Sequence, residues 1–489
     1  EDVPAPDTCV AGAAGSCGAA ASAGAPGAAE YFWPMQKGDI NRTGWSPYAV
    51  TNNLERKPAW KWRDPYWHVI RSTPLIDDKL NIYLGTQGGY VWKLSPEGYV
   101  YWVYKSTRGN IPTVPGILAG SLYGNTASGY VFALDMETGK ERWAVQVSNK
   151  TAADTACVFV HADTVITATR NETPQHGNNN LVVALNATDG SLKWTYNLYW
   201  PTYNFQASSP GDGTVIFQDH FGGLYRVGLH DGHLVWESGI PDRHPTFFTT
   251  GAAIVGPNGL VYVASNYHMG IGMIHAYQLT DGVPVWRQMF KGLAANQAVA
   301  IGRLAGSEDR LSVVAGIGEN PGEPLSIRIS WWPLLIKALL HWLSERMMGW
   351  PTWLWGTHVL PAALVALDAE NGRERWRYTP PPFSAFACAG DEALLSSRLF
   401  GAARNHNMDI ICLPDSWAQA VIGGDGTVYA GHQDGKLYAV RDVDGDGRIS
   451  GKEELSSYDF EAGFQGSQAI APGMLAVSPC GGGLWVWKN

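Results

Sequence analysis

The sequence predicts an all-β chain, an eight-bladed β-propeller of four-stranded antiparallel blades, with the ring closed by pairing of N- and C-terminal strands and one helical insertion. Three observations lead there. The 489 residues include 57 Gly and 29 Pro, and only 16% are charged, which suits many short strands joined by tight turns. One phrase recurs along the chain. The last strand and an early strand are each left without a neighbour.

The recurring phrase runs from Gly129 through Asp135 and Gly139 to Trp143, returns from Leu181 through Gly190 to Trp194, and appears again from Leu364 through Asp368 and Gly372 to Trp376. Weaker copies span Gly89 to Trp102, Gly223 to Trp236 and Ile274 to Trp286. Each copy is an apolar strand, a turn closing on Gly and a second strand ending in Trp, which reads as a β-hairpin. Upstream strands such as Asn81 to Gly85, Gly259 to Val263 and Gly426 to Ala430 complete three or four strands per unit. The terminal Trp residues recur about 40 to 50 residues apart, the length of a four-stranded blade. A longer gap before Trp376 leaves room for one blade plus an insertion. A seventh unit spans Gly426 to Tyr458, with its hairpin turn enlarged and Tyr458 or Phe460 in place of the Trp. The eighth is split: Gly483 to Trp487 lacks a following partner and Lys57 to Trp62 lacks a preceding one, so pairing them leaves no bare sheet edge. If one weak unit is a loop, the count falls to seven. An open sandwich or two domains would also use short strands, but neither predicts one phrase repeated around the chain.

The phrase Ala133-Leu-Asp-Met-Glu-Thr-Gly139-Lys-Glu-Arg-Trp143 resembles the repeat of the pyrroloquinoline quinone propellers, the quinoprotein alcohol dehydrogenase-like family. Trp33 to Asp39 and Arg42 to Pro47 are similar to the lead-in of that fold, and the resemblance covers about Trp33 to Trp487. It implies eight blades, with the repeat Trp packed between neighbours as a girdle. The family includes both quinone-dependent dehydrogenases and non-catalytic propellers that bind proteins, so function has to come from sites. The dehydrogenases hold their quinone under a ring of two adjacent cysteines, and no two cysteines adjoin here. Their metal-ligating Glu, Asn and Asp set has no residue-by-residue match either. Asp219, His220, Arg226 and His268 are inner-mouth candidates whose ordinary reading is loop hydrogen bonding. The expectation is a non-catalytic, calcium-binding propeller acting as a protein-binding or scaffold subunit; the alternative is a calcium-containing, pyrroloquinoline quinone-dependent alcohol dehydrogenase-like oxidoreductase.

Calcium is expected in the enlarged turn of the seventh unit. Asp442, Asp444, Asp446, Arg448 through its carbonyl, Ser450 and Glu453 occupy the diagnostic positions of the twelve-residue calcium loop 442–453, Gly447 permits the sharp turn and Ile449 is the apolar anchor. The loop follows a strand instead of a long helix, and only Lys452 to Ser456 could be helical after it. A structural clip is therefore expected, with calcium binding the folded state alone.

Between residues 327 and 356 the strand grammar stops. Ser330 can cap a helix from Pro333 to Met348, about 24 Å long. Its apolar arc is wider than one packing contact needs. Trp331, Trp332, Trp342 and Trp350 are expected to dock on a protein partner or neighbouring subunit; a membrane surface is the weaker possibility, because the polar residues bring no cationic excess.

A formal net charge of −9 without a basic run argues against nucleic acid. The apolar stretch from Trp331 to Leu343 is broken by Pro333, Lys337 and His341 and is shorter than the roughly 20 residues of a membrane span, so a soluble protein is expected. Residues 1–30 are rich in Ala, Gly, Ser and Pro and cannot fold alone; a Cys9 to Cys17 loop, a bed on the propeller or a neighbouring subunit would order them. The chain begins at Glu1 without an apolar leader, so any targeting segment is expected to have been removed or never included. Six cysteines without metal-type clustering and N-x-Ser/Thr sites at Asn41, Asn149, Asn171 and Asn186 permit an oxidising setting: secreted, extracellular or an organelle lumen.

Overall fold

The computed structural model describes residues 31–489 apart from 112–113, 151–156, 171–179, 240–246, 249–251, 268–269, 323–332, 334–335, 337–338, 340–357, 386 and 392–410. Eight antiparallel sheets follow one another around a ring. Blade 1 takes Leu75–Ile76 as its inner strand and Val100–Lys105 as its outer one; blades 2, 3, 6 and 7 repeat the plan with inner strands Gly116–Leu118, Phe159–His161, Ala300–Leu304 and Val421–Ile422. In blade 4 three strands are joined innermost by a single bridge, Ser208 to Ile216, and in blade 5 both Phe247–Phe248 and Ile254–Val255 pair with Leu260–Tyr267. In blade 8, Trp60–Arg63 pairs antiparallel with Gly483–Lys488, so strands from the two ends of the chain close the ring. The helix expected over 333–348 lies outside the described residues except at Pro333, Ile336 and Leu339.

The repeat phrase is explained by what its Gly and Trp do to each other. The outer-strand Trp of one blade lies over the turn Gly of the next: Trp60 over Gly98, Trp102 over Gly139, Trp143 over Gly190, Trp194 over Gly232, Trp236 over Gly282 and Trp286 over Gly372. A Cβ on Gly190 would meet the Trp143 ring at 2.7 Å, and its φ of +74° is one that a side chain disfavours. Each indole N–H is then satisfied by a carbonyl of the next blade, as in Trp143 to Ala187 (3.1 Å), Trp194 to Leu229 (2.9 Å) and Trp286 to Ala369 (2.8 Å). Large apolar area and one polar handle are both used, as a buried Trp requires.

Residues 33–46 form a strap across one end of the central channel. At six blades the inner strand donates one N–H to a strap carbonyl: Ile76 to Trp33, Ile117 to Pro34, Ser209 to Ile40, Val255 to Asn41, Ile301 to Thr43 and Ile422 to Gly44, all between 2.7 and 3.0 Å. These donors would otherwise be buried edge groups without partners. The strap carries two fully buried cations. Lys37 Nζ donates to the Ala420 carbonyl (2.6 Å), and Arg42 donates to the carbonyls of Gln36 (2.9 Å) and Ala207. Burial pushes the Lys37 ammonium down to about 7.

The strap and the Gly turns share one face of the ring, because antiparallel strands put inner-strand ends and outer-strand starts on the same side. The connections between blades and the turns joining the second and third strands lie on the other face. That loop face carries the Cys412–Cys480 disulfide.

Candidate functional site

In blade 7 the hairpin between Lys436–Val440 and Leu455–Asp459 has no simple Gly turn; residues 441–454 replace it. The chain winds tightly, with Gly445 and Gly447 at φ +71° and +80°. Asp444 and Asp446 each accept an amide two residues on, from Asp446 (3.1 Å) and Arg448 (2.7 Å), and Asp442 Oδ2 accepts the Gly447 amide (3.2 Å). Asp442, Asp444 and Glu454 each place a carboxylate oxygen within 4.8 Å of the others. Asp442 is 7% exposed, and its Oδ1 is buried without a hydrogen-bond partner. Burial pushes its pKa up, and the negative charges of Glu454, Asp446 and Asp444 add to the effect.

Of the positions expected to ligate, Asp442 and the exposed Asp444 are brought together; Asp446, Ser450 and Glu453, also exposed, are outside that group, and Arg448 was expected through its carbonyl. Glu454, which the sequence reading passed over, is 8% exposed and turned inward: Oε1 accepts the Val443 amide (2.9 Å) and Oε2 the Ser450 amide (2.8 Å). Lys452 to Ser456 is not helical, since a turn leads directly into the strand at Leu455. Ile449 packs half-buried on the apolar cluster that contains Trp376 and Leu455, as its anchor role requires.

The loop sits on a seam. A Cβ on Gly306 of blade 6 would meet the Asp442 carbonyl at 2.1 Å, and one on Gly447 would meet the Arg375 carbonyl at 2.9 Å. On the other side Ser456 Oγ donates to the Asn52 carbonyl and accepts the Leu54 amide (3.0 Å), tying the loop's exit to the segment that leads to the closing strand. A cleft of about 390 Å³ lined by Asn52, Glu55, Arg441, Lys452 and Glu453 lies there.

The loop face is built differently. Asp219 accepts the amides of Phe221 (2.9 Å) and Gly223 (2.8 Å) and the Tyr225 hydroxyl (2.8 Å), so it holds a turn. Arg226 belongs instead to the strap face, where it reaches Thr214, Leu279 and Asp212 and joins blades 4 and 5. His268 and the docking candidates Trp331, Trp332, Trp342 and Trp350 lie outside the described residues. His220 belongs to an aromatic group formed by two neighbouring loops, with Tyr203 at 5.1 Å, Phe221 at 5.1 Å, and Trp200 packed on Phe221 at 4.6 Å. Tyr199, against Trp200 at 4.9 Å, is 56% exposed and Tyr203 is 38% exposed. The density of aromatic residues between Tyr199 and Phe205 is the sequence signal that would have found this group. The connection from Gly318 to Ala362, which contains the Trp-rich stretch, leaves and re-enters on the same face.

A family model described as outer membrane protein assembly factor BamB matches residues 78–246. The outer membrane protein assembly factor BamB of Moranella endobia (strain PCIT) is 31% identical over 113 residues, which make up 22% of this chain and 26% of that relative, so the match spans about a quarter of the relative's length. Among solved structures, BamB from Moraxella catarrhalis superposes with a TM-score of 0.58 at 15% identity over 88% of this chain and 99% of that one. The quinohemoprotein alcohol dehydrogenase from Comamonas testosteroni superposes with a TM-score of 0.61 at 12% identity over 93% and 80%. The ring and its repeat are those of a pyrroloquinoline quinone-repeat β-propeller. The quinone cradle implied by the dehydrogenase resemblance does not fit these residues: no cysteines adjoin in the sequence, and Cys412 is bonded to Cys480, 68 residues away.

Proposed function

We propose that this chain is a non-catalytic, calcium-binding propeller that serves as a protein-binding or scaffold subunit in an oxidising compartment, with the loop face as its docking surface. The observation that carries the reading is the double likeness to BamB, 31% identity over a segment and a ring that matches 99% of a solved BamB chain. By its printed name that relative is an assembly factor for outer membrane proteins, and a component of such an assembly is the kind of partner proposed. The inner-mouth polar groups support the reading, because Asp219 and Arg226 are used up in holding turns and seams. Exposed Tyr199 and Tyr203 supply the amphipathic rings favoured at interfaces. The Cys412–Cys480 bond supports the oxidising setting. Calcium is assigned to the loop 442–454, where three carboxylates come together and one of them, Asp442, has a buried oxygen without a partner.

The test places a photo-crosslinking residue at Tyr199, at Tyr203 and, on the strap face, at Lys79. Protein adducts are expected at the first two positions, reduced when Trp331, Trp332, Trp342 and Trp350 are replaced by Ser. Equal adducts at Lys79 would remove the docking assignment. Bound quinone in the absorbance spectrum, with dye reduction by simple alcohols, would overturn the non-catalytic reading.

A further inference from the structure

Within the calcium reading above, the loop departs from the pattern its sequence announces, and the departure identifies a ligand. In the usual helix–loop–helix frame the twelfth residue ligates because the exiting helix turns it inward. Here the exit is a strand. Leu455 pairs with Val440, the Arg441 amide donates to the Glu454 carbonyl (2.8 Å), and the Leu455 amide donates to the Gly451 carbonyl (3.2 Å). Four residues, 451–454, therefore reverse the chain in one tight turn, which leaves Glu453 at its exposed corner and carries Glu454 across the loop.

Glu454 then bridges the two limbs, holding the amides of Val443 on the way in and Ser450 on the way out. A carboxylate has about four acceptor sites, so both amides leave capacity for a cation. Oxygens bound to calcium lie about 2.3 to 2.6 Å from it, so ligands on opposite sides are separated by about 5 Å. The three carboxylate oxygens of Asp442, Asp444 and Glu454 fall within 4.8 Å of one another. The second observation is independent of the acidic cluster: Asp442 is more than nine-tenths buried, and one oxygen of its carboxylate, Oδ1, is buried with no hydrogen-bond partner. A buried anionic oxygen in that state is costly unless a cation completes it.

We propose that the calcium shell is closed by Glu454 and not by Glu453, and that the ion thereby fixes the latch between blades 6 and 7. In six other seams a Trp rests on a Gly turn and donates to a carbonyl of the next blade. At this seam the Gly turn is replaced by the loop, and the Trp376 indole N–H is buried with no acceptor. The ion does the work of the missing contact by holding Asp442 and Asp444 at the loop's entrance to Glu454 at its exit, with Ile449 pressed against the Trp376 cluster.

The experiment is calcium titration by calorimetry on the full chain after chelator treatment, comparing wild type, Glu453→Gln and Glu454→Gln, with thermal melts of each in calcium and in chelator. One ion is expected to bind wild type and Glu453→Gln within about threefold of each other, whereas Glu454→Gln binds at least about tenfold more weakly and loses the calcium-dependent rise in Tm. Because Glu453 is exposed, its substitution does not threaten folding, and a tenfold loss in Glu453→Gln overturns the proposal whatever Glu454→Gln does. Unchanged binding in Glu454→Gln overturns it as well. If wild type itself neither binds calcium nor melts differently in chelator, the calcium reading of the loop falls, and this ligand assignment falls with it.

Discussion

Replacing Lys37 by Met should stabilise the propeller at pH 7 and destabilise it at pH 10. Lys37 is fully buried in the strap, and burial lowers its pKa from the ordinary 10.5 to about 7. Below pH 7 both folded and unfolded chains hold the proton, and the folded state bears the whole cost of a buried ammonium. Between about pH 7 and 10.5 the folded state releases its proton while the unfolded chain retains it. The unfolded state then binds more protons, and stability rises with pH. At about 1.4 kcal/mol per pKa unit, the cost at pH 7 is on the order of 4 kcal/mol and falls below about 1 kcal/mol at pH 10. Met retains the apolar stem but leaves the Ala420 carbonyl without its donor, a loss of about 1 to 3 kcal/mol. The net expectation is a gain of about 1 to 3 kcal/mol at neutral pH and a loss of up to about 2 kcal/mol at pH 10. Calorimetric melts of both proteins at each pH measure the difference, in which the other titrating groups cancel except Asp39, whose carboxyl pKa is raised by burial and lowered by the Lys37 charge. A gap that stays constant from pH 6 to 10 would refute the reasoning.

Two further outcomes follow from the ring. Trp194→Ala removes a ring packed on Gly232 together with its bond to Leu229, and should cost about 3 to 5 kcal/mol in chemical unfolding, whereas a loss below about 1 kcal/mol would show that the girdle contributes little. Cys412→Ser opens a link across 68 residues and should lose up to about 4 kcal/mol by chain entropy, and wild type in reductant should melt with the variant; wild type indifferent to reductant would contradict this.

The ring was legible in the sequence because both halves of its main contact lie in the repeat. A Trp and a turn Gly recur together since each Trp needs the next blade's Gly, and the leftover strands at Trp60 and Gly483 announced their own pairing. The inner strand of blade 4 was harder to see, because Ser208-Ser209-Pro210 has no apolar run and contributes only one bridge. The strap's function was hidden for another reason: its partners are backbone N–H groups, which leave no side-chain signature. In the acidic loop the residue types were legible but which glutamate turns inward was not, because a strand exit buries Glu454 and leaves Glu453 exposed. The aromatic group at Tyr199 to Phe221 carries no periodic signal at all.

The strap also sets the order in which this protein can mature. It is synthesised before any blade, yet Lys37 bonds to Ala420, 383 residues later. Until blade 7 exists, the strap can satisfy only some of its six inner-strand donors, and Trp60–Arg63 waits still longer for Gly483–Lys488. Non-local contacts that become favourable only after long loops have closed make for slow folding. Blades can zip one by one, but the seating of the strap is a terminal, cooperative event. Hydrogen exchange at Ile76, Ile117, Ser209, Val255, Ile301 and Ile422 should therefore acquire protection together, as a clock for completion of the ring.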